Sequence, residues 1–261
     1  MNGHQSFWSL VKHDLSFRRE RSTDEWMGRR RWVVTVPGLL IWVAVVTWQG
    51  PHIHFNLNYA WYAALAVPII AVGMATGHIA HEQKNGTAGW WLTLPRPRWQ
   101  LVLSKWLSAC VLMVRASWYL VSVAALGVYT MALNGTLSTA HVTSFLVVGL
   151  TWAAVMYCLV PLMAAVGVLI GTMDFSRLKD LSWAVWLLVG AAAWIAVGQY
   201  GKFFVVSRVV AKYGHFLTAG RVAPMAVTLK STFGLGIAGT LVIAAGVLWI
   251  ATRILNGSTG M

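Results

Sequence analysis

Chemistry has few places to reside in this chain. Of 261 residues only seven are acidic: Asp14, Glu20, Asp24, Glu25, Glu82, Asp174 and Asp180. No nucleophile–base pair or carboxylate dyad stands out among them, so no catalytic residue is assigned and no enzyme activity is expected of this chain. The two cysteines, Cys110 and Cys158, fall inside apolar segments and read as small buried hydrophobes rather than a disulfide or a metal pair. His52, His54 and His141 lie near the ends of apolar segments with no Cys or carboxylate beside them, so no metal site is expected. There is no G-x-x-x-x-G-K-[ST] loop to cradle a nucleotide phosphate. What stands out instead is the stretch HEQKNGTAGWWLTLPRPRWQ at 81–100, whose Glu82 is the only acid between Glu25 and Asp174.

The local physics of that stretch is legible. Asn85-Gly86-Thr87 is a turn signal, because Asn and Gly tolerate positive φ and Thr can cap a helix that starts just after it. Trp90, Trp91, Leu92 and Leu94 suffice for a short helix lying in a membrane interface, which Pro95 and Pro97 then stop. Arg96, Arg98 and Lys105 return the chain to lipid headgroups. The expected product is a stiff amphipathic elbow.

The elements that must hold this elbow are membrane spans. The chain is 58% hydrophobic and 10% charged, against about 25% charged for soluble domains, so it is an all-α integral membrane protein. Its net charge of +13 is spread over segment ends rather than along a soluble stripe, which argues for lipid headgroups and against nucleic acid. Six segments reach the length of about 20 apolar residues that a span needs. They are Trp32–Trp48, Asn58–Ala80, Leu101–Met131, Val142–Thr172, Trp183–Tyr200 and Ser231–Thr252. With the N-terminus inside, fourteen Lys and Arg face the cytoplasm and five face out, all in 201–230, so both termini are expected to be cytoplasmic. The division is a cytoplasmic region over 1–31, a six-span domain over 32–252 and a tail over 253–261. All seven acids fall on the cytoplasmic side, and no carboxylate lies within a span. Ion-coupled carriers usually keep such a group, so a secondary transporter or channel is the alternative reading and not the preferred one.

The order of residues in the elbow resembles the cytoplasmic loop after the second span in permeases of the ABC type 2 exporter family. There a Glu is followed by Gly-Thr, a Leu-rich turn ending in Pro, an Arg, and a Lys opening the third span. Here those positions are Glu82, Gly86, Thr87, Leu92, Leu94, Pro95, Arg98 and Lys105, with His81 where the family usually has a permanent cation. The resemblance implies that His81, Glu82, Gly86, Thr87, Leu94, Pro95 and Arg98 form a coupling helix that docks on a separate ATPase subunit. ATP and Mg would then be bound by that partner, with no cofactor in this chain. It further implies assembly with a second permease copy or a homologue in a plasma membrane, of bacterial type. The cargo would be hydrophobic or amphipathic: a lipid, drug or peptide. Phe175, Arg177 and Lys179 would make a second cytoplasmic contact.

Other features belong to the same picture. Gln5–Phe17 places Phe7, Trp8, Val11 and Leu15 at helical spacing, as in an interfacial helix on the inner leaflet, with Lys12, His13 and Asp14 elsewhere on the wheel. Arg208, Lys212 and His215 fall at i, i+4 and i+7 in an outer loop whose relatives close the exit of the pathway, and they are the candidate outer gate. Pro68 and Pro161 are expected to kink the second and fourth spans. Gly73-x-x-x-Gly77 and Gly167-x-x-x-Gly171 permit close helix packing, including across a dimer. Arg115, within the third span, is expected to reach back to the cytoplasmic interface.

Overall fold

Backbone in hydrocarbon has no water to bond with, so apolar segments of this length must satisfy their N–H and C=O groups internally, as helices. A computed structural model of the chain describes residues 7–12, 14–15, 61, 64, 66–85, 97–133, 135, 137–174, 176, 178–203 and 232–257. They form a short N-terminal helical stretch and the helices α1 (Ala66–Lys84), α2 (Arg98–Ala116), α3 (Trp118–Leu133), α4 (Thr139–Asp174), α5 (Lys179–Phe203) and α6 (Thr232–Gly257). No strand occurs among the described residues. Among the described residues, three stretches are long and apolar enough to cross a membrane: Arg98–Leu133, Thr139–Asp174 and Gly236–Gly257. The expected first span, the elbow core at 86–96 and most of the outer loop lie outside the described residues.

α4 is the central strut and touches all five other helices. Its start is set by Ser138, whose hydroxyl accepts the His141 backbone N–H at 3.2 Å, an N-cap bond. Its tightest partner is α1, because Gly167 and Gly171 offer no side chain at the crossing. A Cβ on Gly167 would stand 2.5 Å from the Val72 carbonyl oxygen, and one on Gly171 would stand 2.9 Å from Ile79 Cβ. The Thr76 hydroxyl lies 3.0 Å from the Gly167 carbonyl oxygen, adding a polar link across the same contact. This glycine pair is therefore consumed inside the chain, whereas Gly73 and Gly77 face open space.

The prolines behave differently from each other. Pro68 sits in the first turn of α1, where its missing N–H would have no helical partner anyway, so it does not kink the helix as the sequence suggests. Pro161 lies inside α4, and a neighbour serves its own carbonyl: Trp106 Nε1 donates to Pro161 O at 2.7 Å.

The expected third span is present but interrupted. At Ser117 the backbone N–H bonds back to Val114 O rather than Met113 O, which separates α2 from α3 and frees the Met113 carbonyl. Tyr157 of α4 takes that carbonyl, its hydroxyl donating at 3.2 Å. Tyr157→Phe should therefore cost about 1 kcal/mol, read as a lowered unfolding midpoint in detergent.

Two buried layers stack along the bundle. One gathers Trp61, Met113, Met131, Phe145 and Met156; the other gathers Ile79, Leu101, Val168, Ala251 and Leu255. The second layer draws on the C-terminal ends of α1, α4 and α6 and the N-terminal half of α2, so these ends share one end of the bundle. That end carries the charged groups.

Candidate functional site at the charged end of the bundle

Three short sequences converge there. Residues 7–15 lay Leu10, Val11 and Asp14 toward the bundle, with Trp8 outward. α2 turns Leu101, Val102, Lys105 and Ala109 inward, an i, i+1, i+4, i+8 face in which Lys105 is the one charge. α1 continues its buried face of Ala75 and Ile79 one turn further to Glu82. The three charged positions thus extend apolar faces, and the packing of those faces delivers them to one point.

Lys105 stands between the two carboxylates. Its Nζ is 2.5 Å from Asp14 Oδ1 and also pairs with Glu82 Oε1. The Lys105 and Asp14 side chains retain 3% and 6% of their exposure, and that of Glu82 retains 14%. Charges so far from water are tolerable only when paired, and one ammonium facing two carboxylates leaves the cluster with a formal excess of one negative charge. The Asp14 Oδ2 atom is buried with no hydrogen-bond partner among the described residues. Ser104 and Ser108 do not compete for the lysine; their hydroxyls donate to Leu101 O and Lys105 O within α2. The result is a clasp: α1, α2 and the N-terminal stretch are tied through one ammonium.

The elbow residues distribute around this clasp. His81, in the last turn of α1, pairs its Nε2 with Asn85 Nδ2 at 3.1 Å. Arg98 opens α2, and its Nη1 is buried with no hydrogen-bond partner among the described residues. Gly86, Thr87, Leu92, Leu94 and Pro95 lie outside the described residues. Both flanks of segment 86–96, the end of α1 and the start of α2, are therefore fastened to each other by Glu82 and Lys105.

Of the residues expected to make a second cytoplasmic contact, Lys179 is exposed at the first position of α5, while Phe175 and Arg177 lie outside the described residues. The turn between α4 and α5 is held by Ser176, whose hydroxyl accepts the Leu178 N–H at 3.0 Å. Arg208, Lys212 and His215 also lie outside the described residues. Among the described residues, no three His, Cys, Asp or Glu side chains are grouped so as to hold a metal ion.

Asp14 is the member that sequence reasoning placed on the wrong face. The signal was available: Phe7, Val11 and Asp14 stand at i, i+4 and i+7, the same stripe that faces the bundle.

Comparison with known proteins bears on the same region. No curated protein and no solved structure matches the chain. The profile of a family described as "ABC-2 family transporter protein" matches residues 6–204, a stretch that opens on the N-terminal helix and includes every member of the clasp. The match covers most of the 261 residues, and the chain therefore belongs to the ABC-2 family of transporter membrane proteins.

Proposed function

We propose that this chain is the permease subunit of an ATP-driven exporter, a six-span protein with both termini in the cytoplasm. It moves a hydrophobic or amphipathic substrate out of the cell across the plasma membrane. A separate ATPase subunit hydrolyses ATP with Mg, and two permeases, identical or homologous, enclose the pathway. The observation that carries this reading, beside the family, is the clasp. Segment 86–96 joins two helix ends that Glu82 and Lys105 hold together. A force applied to that segment is therefore delivered to α1 and α2 as one body. Asp14 extends the same body to the N-terminal helix. α1 in turn packs along the central α4, so the displacement reaches the core of the bundle.

A carrier driven by an ion gradient is the weaker reading, because no carboxylate lies in the interior of a span to bind or relay the ion. Partner dependence separates the two. Tagged full-length protein is purified from native membranes in mild detergent, beside a variant carrying Gly86→Trp and Leu94→Glu, which leaves the clasp residues intact. A stoichiometric ATPase with a phosphate-binding loop, present with the wild type and lost from the variant, is the expected result. Absence of such an ATPase from both samples would overturn the exporter reading.

A further inference from the structure

Arg115 is the eighteenth residue of the 36-residue span Arg98–Leu133, its midpoint. It lies ten residues beyond Lys105, or about 15 Å along the helix axis. With the N-terminal helix taken to lie on the inner leaflet, as the permease reading has it, that is half of the about 30 Å hydrocarbon thickness. On that placement a side chain leaning toward the helix N-terminus recovers less than half of the distance, and reaching back does not bring Arg115 to the headgroups.

The guanidinium is exposed on the bundle surface. It belongs to a continuous unburied face of α2 and α3 formed by Val114, Arg115, Trp118, Val121 and Tyr129. No carboxylate pairs with it among the described residues. The polarity at this depth is not confined to one atom. The helix break at Ser117 falls within two residues, and the buried Tyr119 hydroxyl has no hydrogen-bond partner among the described residues. An unpaired cation facing hydrocarbon at mid-bilayer is costly, so this face meets something other than lipid tails.

The sequence restricts what that can be. None of the seven carboxylates lies in the interior of a span, Asp174 being the last residue of Thr139–Asp174, so this chain has no mid-membrane anion to offer. A second copy has the same sequence and is equally unable to supply one. Pairing two copies on this face would bring cation toward cation.

We propose that Arg115 is the anion-recognising residue of the transport pathway, and that its ligand is an amphiphile with a phosphate or carboxylate headgroup on an apolar body. Trp118, one turn away and 66% exposed, supplies apolar surface for that body. The proposal rests on the permease reading and narrows its substrate to anionic amphiphiles.

Its binding test needs no ATPase, so its failure and that of the exporter reading are distinguishable. The full-length permease is placed in phosphatidylcholine nanodiscs and titrated with dodecyl phosphate and with dodecylphosphocholine, empty discs serving as blank. Wild type should bind the dianionic headgroup at least about tenfold more tightly, the scale of one charge-assisted hydrogen bond. Arg115→Gln should abolish the preference, and Arg115→Lys should keep most of it. Equal affinities in the wild type, or a preference that survives Arg115→Gln, would overturn the proposal. So would a loss of oligomer in Arg115→Gln without any ligand preference in the wild type, which would assign the arginine to a different protein chain. A second arm identifies the source of the ligand. In inside-out vesicles with ATP, an exported amphiphile is moved across the bilayer and phosphatidylglycerol does not displace it. A resident lipid instead gives phosphatidylglycerol that competes at Arg115 and is not moved; either result upholds the anionic site.

Discussion

Lys105→Met should destabilise the folded chain by about 3–5 kcal/mol, because it leaves the Asp14 and Glu82 carboxylates side by side without their cation. Two effects add. Each carboxylate keeps the desolvation cost that the ammonium had offset, and the like charges now repel in a medium that screens poorly. The cheapest escape is to undock the N-terminal stretch and return Asp14 to water. The expected signature is therefore proteolytic release of the first residues at concentrations of protease that leave the wild type whole, together with an earlier unfolding midpoint in detergent. The triple replacement Asp14→Leu, Glu82→Met, Lys105→Met should recover most of the loss, since a buried ion cluster exchanged for apolar side chains of similar volume is often neutral. Wild-type stability in Lys105→Met alone would show that the three groups do not share one buried site. The triple variant has a second use. If the clasp transmits force as an ionic tie, the recovered stability will not be matched by recovered transport.

Gly167→Val should be nearly as damaging, for a steric reason. The added Cβ would meet the Val72 carbonyl oxygen at 2.5 Å and Ala75 Cβ at 2.8 Å. Backbone offers no alternative rotamer, so α1 and α4 must separate along their main contact. Overpacking of this kind costs about 1–3 kcal/mol. The Thr76 hydrogen bond to Gly167 O is strained by the same displacement, adding about 0.6 kcal/mol. Gly77→Ala is the matched control, because nothing lies within 4 Å of a Cβ there and alanine is the better helix former by about 0.5–1 kcal/mol. Unfolding midpoints of the two variants should move in opposite directions. A Gly167→Val protein as stable as wild type would mean that α1 and α4 do not cross at this glycine.

The helices themselves were legible because hydrocarbon enforces a simple rule: long apolar stretches must be helical, and their ends must be charged or aromatic. Val142–Thr172 lies within α4, Trp183–Tyr200 lies within α5, and α6 begins one residue after the expected start at Ser231. Features set by contacts between segments were not legible. The break at Ser117 depends on a tyrosine 40 positions later in the chain, and no propensity of Ala116, Ser117 or Trp118 announces it. The two glycine pairs have the same spacing, yet one is buried against α1 and the other is open, a distinction that only packing makes. The elbow's turn residues announce themselves through their φ preferences, and the resemblance they carry agrees with the family match. The clasp was half visible: Glu82 and Lys105 bracket the elbow in sequence, but Asp14 reaches Lys105 from 91 residues away.

That separation has a consequence in time. A ribosome adding about 5–20 residues per second places roughly 5–20 s between the emergence of Asp14 and that of Lys105. Glu82 waits for only the last quarter of this interval, since it precedes Lys105 by 23 residues. Until α2 is made, the Asp14 carboxylate has no ammonium to pair with. The seam between α1, α2 and the N-terminal helix can seal only after insertion of α2 delivers the ammonium. Lys105 is thus the last of the three charges to arrive, and the seam waits on it.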